Sequence, residues 1–192
     1  MIVQTLYRYP IKGLSPERMA SVTVHPGEVF PGDRQYAFAR SSGLFDPARP
    51  TYLAKTNFLM LQGDEDLAAL TTRFDPDTQT LIIEHDGYVG ESNLSSQTGR
   101  RVAEDFIADY LTSGLDSQPH LAVAPGHSFS DFDAKVISLV NLASVRDLSQ
   151  TLNTDLDPLR FRANVYFKGL EAWHELHWVG QILKIGSPIS RW

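Results

Sequence analysis

The chain has 192 residues, 42% of them hydrophobic, no cysteine and a formal net charge of −6. That length supports one good core or two small cores sharing a face. The lack of thiols excludes disulfides, thiolate metal sites, iron–sulfur clusters and a cysteine nucleophile within these residues. The acidic balance offers no broad basic field for nucleic acid or an anionic membrane, so any anion must be held by a local cluster. The first residues show no basic region followed by an apolar run and a small-residue cleavage site. No apolar stretch approaches the roughly 20 residues of a membrane helix. The expectation is a cytoplasmic protein that binds neither nucleic acid nor membrane.

Strand patterns dominate the N-terminal half. Ile2 to Tyr9, Ala20 to His25, Arg34 to Arg40 and Thr80 to His85 alternate or run apolar over a strand's length, separated by Pro-Gly, Gly-Asp and Asp-Pro-Asp turns. This predicts an antiparallel barrel or sandwich. Asp64-Glu65-Asp66 before Leu67-Ala68-Ala69-Leu70 predicts a short helix whose first-turn acids act as caps. Phe74 to Gln79 reads as a connecting turn. A second helix is expected over Arg101 to Leu111, with Val102, Phe106, Ile107 and Tyr110 as its buried stripe. Gln118 to Phe132, rich in Pro, Gly, His, Ser and Asp, reads as a loop joining an N-terminal β-barrel-like region (1–117) to a C-terminal region (118–192). A third helix is expected over Ala143 to Asn153, burying Val145, Leu148 and Leu152. The class is mainly β with a few helices, α+β.

Several polar groupings bear on function. Tyr9-Pro10-Ile11-Lys12-Gly13 leaves a strand through a proline; it is either a surface turn with a solvated lysine or a turn presenting an ammonium and backbone N–H groups to an anion. Gly32-Asp33-Arg34 sets an acid and a base at a strand start, Asp33 suited to hold the turn and Arg34 to point inward. Of six histidines, His174 and His177 alone have an i, i+3 spacing, and with only Glu175 nearby they make no zinc motif. Nucleophile-elbow, Walker and dinucleotide motifs are absent. Arg160-Phe161-Arg162-Ala163-Asn164-Val165 is the densest grouping. Read as a strand, it sets Arg160 and Arg162 on one face, either a two-cation edge for a phosphate or carboxylate or a solvated face.

The order of these pieces resembles the MOSC family, the C-terminal domain type of molybdenum cofactor sulfurases, preceded by its N-terminal β-barrel domain. The matching blocks are Tyr9 to Gly13, Gly32-Asp33-Arg34, His127 to Asp131, Ile137 to Val145, Arg160 to Asn164, and Trp178 with Ile185-Gly186. The resemblance implies a MOSC-type β-barrel whose cleft binds the molybdenum cofactor, molybdopterin; pyridoxal phosphate is a further family-associated ligand. By the same resemblance, Lys12 and Arg34 hold the pterin and phosphate. Arg162 and Asn164 are the arginine and asparagine of an R-F-R-x-N motif, with Arg160 beside them, and Ser138, Asn141 and Ser144 form a polar entry to a helix where N–H groups meet an anion.

Relatives are implied to be sulfur carriers or reductases of N-hydroxylated compounds, served by an electron-donor protein or a sulfur donor. The family cysteine is expected after the Ile185-Gly186 strand, and none is present. The chain reads as truncated before it, with Ser190-Arg191-Trp192 as a shortened echo of an arginine–cysteine site. No catalytic residue or metal ligand is therefore assigned. Three readings follow: an enzyme whose thiol lies in a segment absent here, a non-catalytic cofactor- or anion-binding module, and a scaffold that keeps the fold alone. A barrel lacking its closing strand also implies a homodimer through the open edge.

Overall fold

Strand β1 (Ile2–Arg8) ties distant parts of the sequence together: it pairs antiparallel with β2 (Glu17–Met19) on one side and with β9 (Val165–Lys168) on the other. The computed structural model describes residues 1–111 and 115–185. Beyond β9 lies β8 (Leu139–Asn141), parallel to it, so the sheet order is β2-β1-β9-β8. Parallel neighbours need a crossover, and helix α2 (Leu142–Leu152) supplies it.

A second sheet joins β3 (Tyr36–Ala39) to β7 (His120–Val123), and a third is the antiparallel meander β4 (Thr71–Asp75), β5 (Thr80–His85), β6 (Tyr88–Asn93). The strand pairings β1–β9 and β3–β7 both cross the 117/118 position in the sequence. The protein is mainly β with two α-helices among the described residues, and its strands form three separate sheets there.

The alternation of β3 explains why it sits at the centre. Tyr36 and Phe38 enter a core with Leu59, Leu67, Leu81 and Ile107, while Ala37 and Ala39 face a smaller cluster with Phe58, Ala122 and Phe129. Helix α1 (Gln97–Tyr110) closes the larger core. Ser96 caps it by accepting the Gly99 N–H at 2.9 Å. Gly99 is required there, because a Cβ would sit 1.9 Å from the Asn93 carbonyl oxygen.

Several sequence expectations need correction. Ala20 to His25 forms no strand: among the described residues β2 is a sheet edge with nothing paired beyond it, and this stretch lies mostly exposed. Gln118 to Phe132 is not all loop, because β7 lies within it. The buried stripe of α1 is Ala103, Ile107 and the following Leu111 rather than one containing Val102, which is 48% exposed. Glu104 turns inward because its carboxylate accepts the Leu121 N–H of β7 at 2.7 Å. On α2, Val145 is buried but Leu152 is exposed. Asp64 does not cap the short 3₁₀ turn Glu65–Ala69; it accepts the Met60 N–H and pairs with Arg40.

Candidate functional site

Two sharp turns aim two arginines at one point. Gly32 and Arg34 both take positive φ, 70° and 48°, and reverse the chain before β3. Asp33, buried inside that turn, accepts the Tyr9 N–H at 2.9 Å and the Arg34 Nη1 at 2.5 Å. Arg34 Nη2 donates to the Arg162 carbonyl at 2.9 Å. Arg162 itself has φ 49° and closes a 3₁₀ turn, Pro158–Phe161, capped by Asp157. The strand expected over Arg160 to Arg162 is therefore a helical turn followed by a left-handed residue. This separates the pair: Arg160 is exposed, whereas Arg162 lines the cleft.

Both guanidiniums lie over the ring of Tyr9, at 4.3 Å for Arg162 and 5.0 Å for Arg34. The Nη2 of Arg162 is buried and has no hydrogen-bond partner among the described residues. A buried unpaired donor on a cation is costly. The Arg162 pKa is lowered to about 10, by burial first and then by the neighbouring Arg34, against the pull of Tyr9 and Asp33.

Beneath these groups, Lys12 is 6% exposed, so the solvated-turn reading of this residue is wrong. Its ammonium donates to the Phe129 carbonyl at 2.9 Å and pairs closely with Asp131. Burial lowers the Lys12 pKa, with Arg34 and Arg162 adding to the effect, against the opposing hydrogen bond and charge of Asp131. Burial also works against the Asp131 carboxylate. Its hydrogen bond and charge contact with Lys12, together with Arg34 and Lys55, outweigh that and hold its pKa below the ordinary value. Three cations thus face two carboxylates, Asp33 and Asp131, leaving one positive charge in excess. The cleft above them, about 620 Å³, is lined by Arg34, Tyr52, His127, Asp131, Phe132 and Arg162 among others.

Ser138 and Asn164 also line the cleft, but they are occupied with each other. The Asn164 Oδ1 accepts the Ser138 N–H and hydroxyl, its N–H donates to the Ser138 oxygens, and its Nδ2 donates to the Tyr7 carbonyl. Asn141 and Ser144 lie elsewhere. Asn141 caps α2 by accepting the Ala143 N–H, and both residues donate to the Glu175 carboxylate, at 2.8 and 2.5 Å. The anion at this helix entry is thus the protein's own glutamate. His174 and His177 are exposed, and no metal-holding cluster of His, Asp and Glu occurs among the described residues. The expected arginine–cysteine echo at Ser190-Arg191-Trp192 lies outside them.

Sequence reasoning did not single out Tyr9 or Asp131 as site residues. The faint signals were an aromatic at a strand end beside a proline, and a carboxylate closing the His127 to Asp131 block.

A half-buried arginine pair with one positive charge in excess gives the cleft the charge and the donors that suit an anion. The family model of the MOSC domain matches residues 124–190, a stretch that includes Asp131, Ser138, Arg162 and Asn164. That match is consistent with a molybdenum cofactor-related protein. No match to the chain is found among curated proteins. Among the described residues, no helix is long and apolar enough to cross a membrane.

Proposed function

We propose that the cleft binds the phosphate of a phosphate-bearing anionic cofactor, with molybdopterin the ligand that the MOSC domain favours. The observation that carries this reading is the buried, unpartnered Nη2 of Arg162 beside a cation excess. A guanidinium fork supplies directed hydrogen bonds to a phosphate, and an entering anion satisfies the donor that the protein leaves bare. In this reading Arg162 and Arg34 hold the phosphate, Lys12 supports it electrostatically from below, and Ser138 and Asn164 fix the wall. Tyr52 and Phe132 line the outer part of the cleft, where apolar ring faces suit a planar heterocycle and exclude water.

The fit is to the anionic part of the ligand. The 192 residues contain no thiol, and the donors around the cleft are hard nitrogen and oxygen groups, poorly suited to a soft metal ligand's role. When bound, the cofactor supplies two-electron redox chemistry at its metal; the residues described here bind and orient. An electron-donor or sulfur-donor protein and a homodimer through the β8 edge are the partners proposed with this reading.

The test is the pterin and molybdenum content of the protein purified from a host that makes the cofactor, beside Arg162→Ala, with inorganic phosphate titrated into both. Stoichiometric pterin that is lost in the variant is the expected result. A wild type that carries no pterin and takes no phosphate overturns the reading.

A further inference from the structure

Tyr9 is fully buried, and every polar part of it is spent on the segments that carry the two arginines. Its N–H donates to Asp33 and its carbonyl accepts the Arg34 N–H at 2.7 Å, which clasps the first arginine's turn from both sides. Its hydroxyl donates to the Ala163 carbonyl at 3.3 Å and lies 3.4 Å from the Tyr166 hydroxyl, which accepts the Ala163 N–H at 3.0 Å. That clasps the residue next to the second arginine. Between the clasps, the ring meets both guanidiniums, Arg162 at 4.3 Å and Arg34 at 5.0 Å from its centre.

Two cations brought together repel, and among the described residues no carboxylate makes a hydrogen bond to the Arg162 guanidinium; Asp33 is bonded to Arg34 and Asp131 to Lys12. An aromatic face attracts cations without neutralising them. It therefore gathers the arginines while leaving their charge available, which a carboxylate in the same place would not.

We propose that Tyr9 is the positioning residue of the anion site, a shared aromatic platform that holds Arg34 and Arg162 side by side. The inference deepens the anion-site reading and rests on it for the binding measurement alone.

Three proteins test it: wild type, Tyr9→Phe, and the chain with pentafluorophenylalanine at position 9, which keeps an aromatic ring, somewhat enlarged by its fluorines, but reverses the sign of its face. Two readouts are taken. The first is the ring-current displacement of the arginine Nε–Hε NMR signals, assigned with Arg34→Lys and Arg162→Lys. The second is affinity for inorganic phosphate by calorimetry. Wild type and Tyr9→Phe are expected to show displaced Arg34 and Arg162 signals, with Tyr9→Phe losing no more than about three-fold in affinity. The fluorinated ring is expected to shift both signals and to weaken phosphate binding roughly ten-fold, the size of one or two partly desolvated cation–π contacts.

Arginine signals without displacement in wild type, or a fluorinated protein that behaves like Tyr9→Phe in both readouts, overturn the proposal. If wild type takes no phosphate, the anion-site reading fails, and the arginine signals alone still decide whether Tyr9 holds the pair.

Discussion

Two polar clusters flank the β8–α2–β9 unit and follow opposite rules. Around Glu175 the hydrogen-bond demands are met within the protein: the carboxylate takes Asn141 and Ser144, the Ser144 hydroxyl accepts the Trp173 N–H at 2.8 Å, and Asn141 also reaches the Glu171 carbonyl. Beside it lies a small apolar pocket of about 160 Å³. Across the unit, the Arg162 Nη2 is buried without a partner among the described residues, and the cleft above is several times larger. A satisfied cluster fixes the fold, because buried polar groups that find partners lock their segments in place. An unsatisfied one is retained at a cost to stability and points to a ligand. Residue type alone does not separate the two: both clusters contain an asparagine and a serine.

This contrast predicts crossed effects in variants, the largest at Arg162. Arg162→Ala is expected to weaken inorganic phosphate binding about a hundred-fold, or about 2.7 kcal/mol, the value of one or two hydrogen bonds to a charged group. Its stability in urea is expected to change by less than about 1 kcal/mol, because losing the contact with Tyr9 is offset by removing a poorly partnered buried charge. Calorimetry beside a urea titration checks both. Arg162→Ala that unfolds the protein would mean the residue is structural after all. Arg160→Ala, exposed and outside the cleft, is the matched control and stays within about two-fold in affinity.

Glu175→Ala should do the reverse. It strips the acceptor from Asn141 and Ser144 and is expected to cost about 2 to 3 kcal/mol of stability, with phosphate affinity held within about two-fold. A larger loss of affinity would join the two clusters into one site and dissolve the comparison.

The sequence disclosed the strands better than the site. β5 occupies the predicted Thr80 to His85, and β1 ends one residue short of its predicted limit, because alternation between short turns is a local signal. The Arg160 to Arg162 segment misled because its alternation matched a strand, while Asp157-Pro158 before it carried the stronger signal of a capped helical turn. Lys12 looked like a surface lysine because what buries it is remote: its carboxylate partner lies 119 residues away. Tyr9 meets the Ala163 carbonyl across 154 residues. Such pairings arise from the way β3 joins β7, for Lys12, and β1 joins β9, for Tyr9, and no window of sequence contains them.

Asp131 gives the next and smaller effect. It is the internal anion of the cleft, held against Lys12 with its side chain 54% exposed. An entering phosphate meets its negative charge and competes for the same ammonium. Asp131→Asn keeps the shape and a neutral acceptor, so phosphate affinity is expected to rise about three- to ten-fold, at the scale of one partly screened charge contact. A fall in affinity would make Asp131 part of the binding surface instead of a competitor to the ligand.

The smallest effect is on stability against pH, and its sign follows from the same ion pair. The Asp131 pKa is lower in the folded protein than its ordinary 3.8, so the unfolded chain takes up the proton first as pH falls. The ion pair's contribution is therefore fully present above pH 3.8 and is lost as the pH drops through the folded value. Lys12 runs the other way at the alkaline end. Its folded pKa lies below the ordinary 10.5, so stability rises as the pH climbs from the folded value toward 10.5. Exposure screens the Asp131 contribution to below about 1 kcal/mol. The difference between wild type and Asp131→Asn in urea midpoints measured from pH 6 down to pH 2.5 isolates it. That difference should shrink only below about pH 4, whereas a difference that disappears near neutral pH would place the titrating group elsewhere in the cleft, with His127 the first to examine.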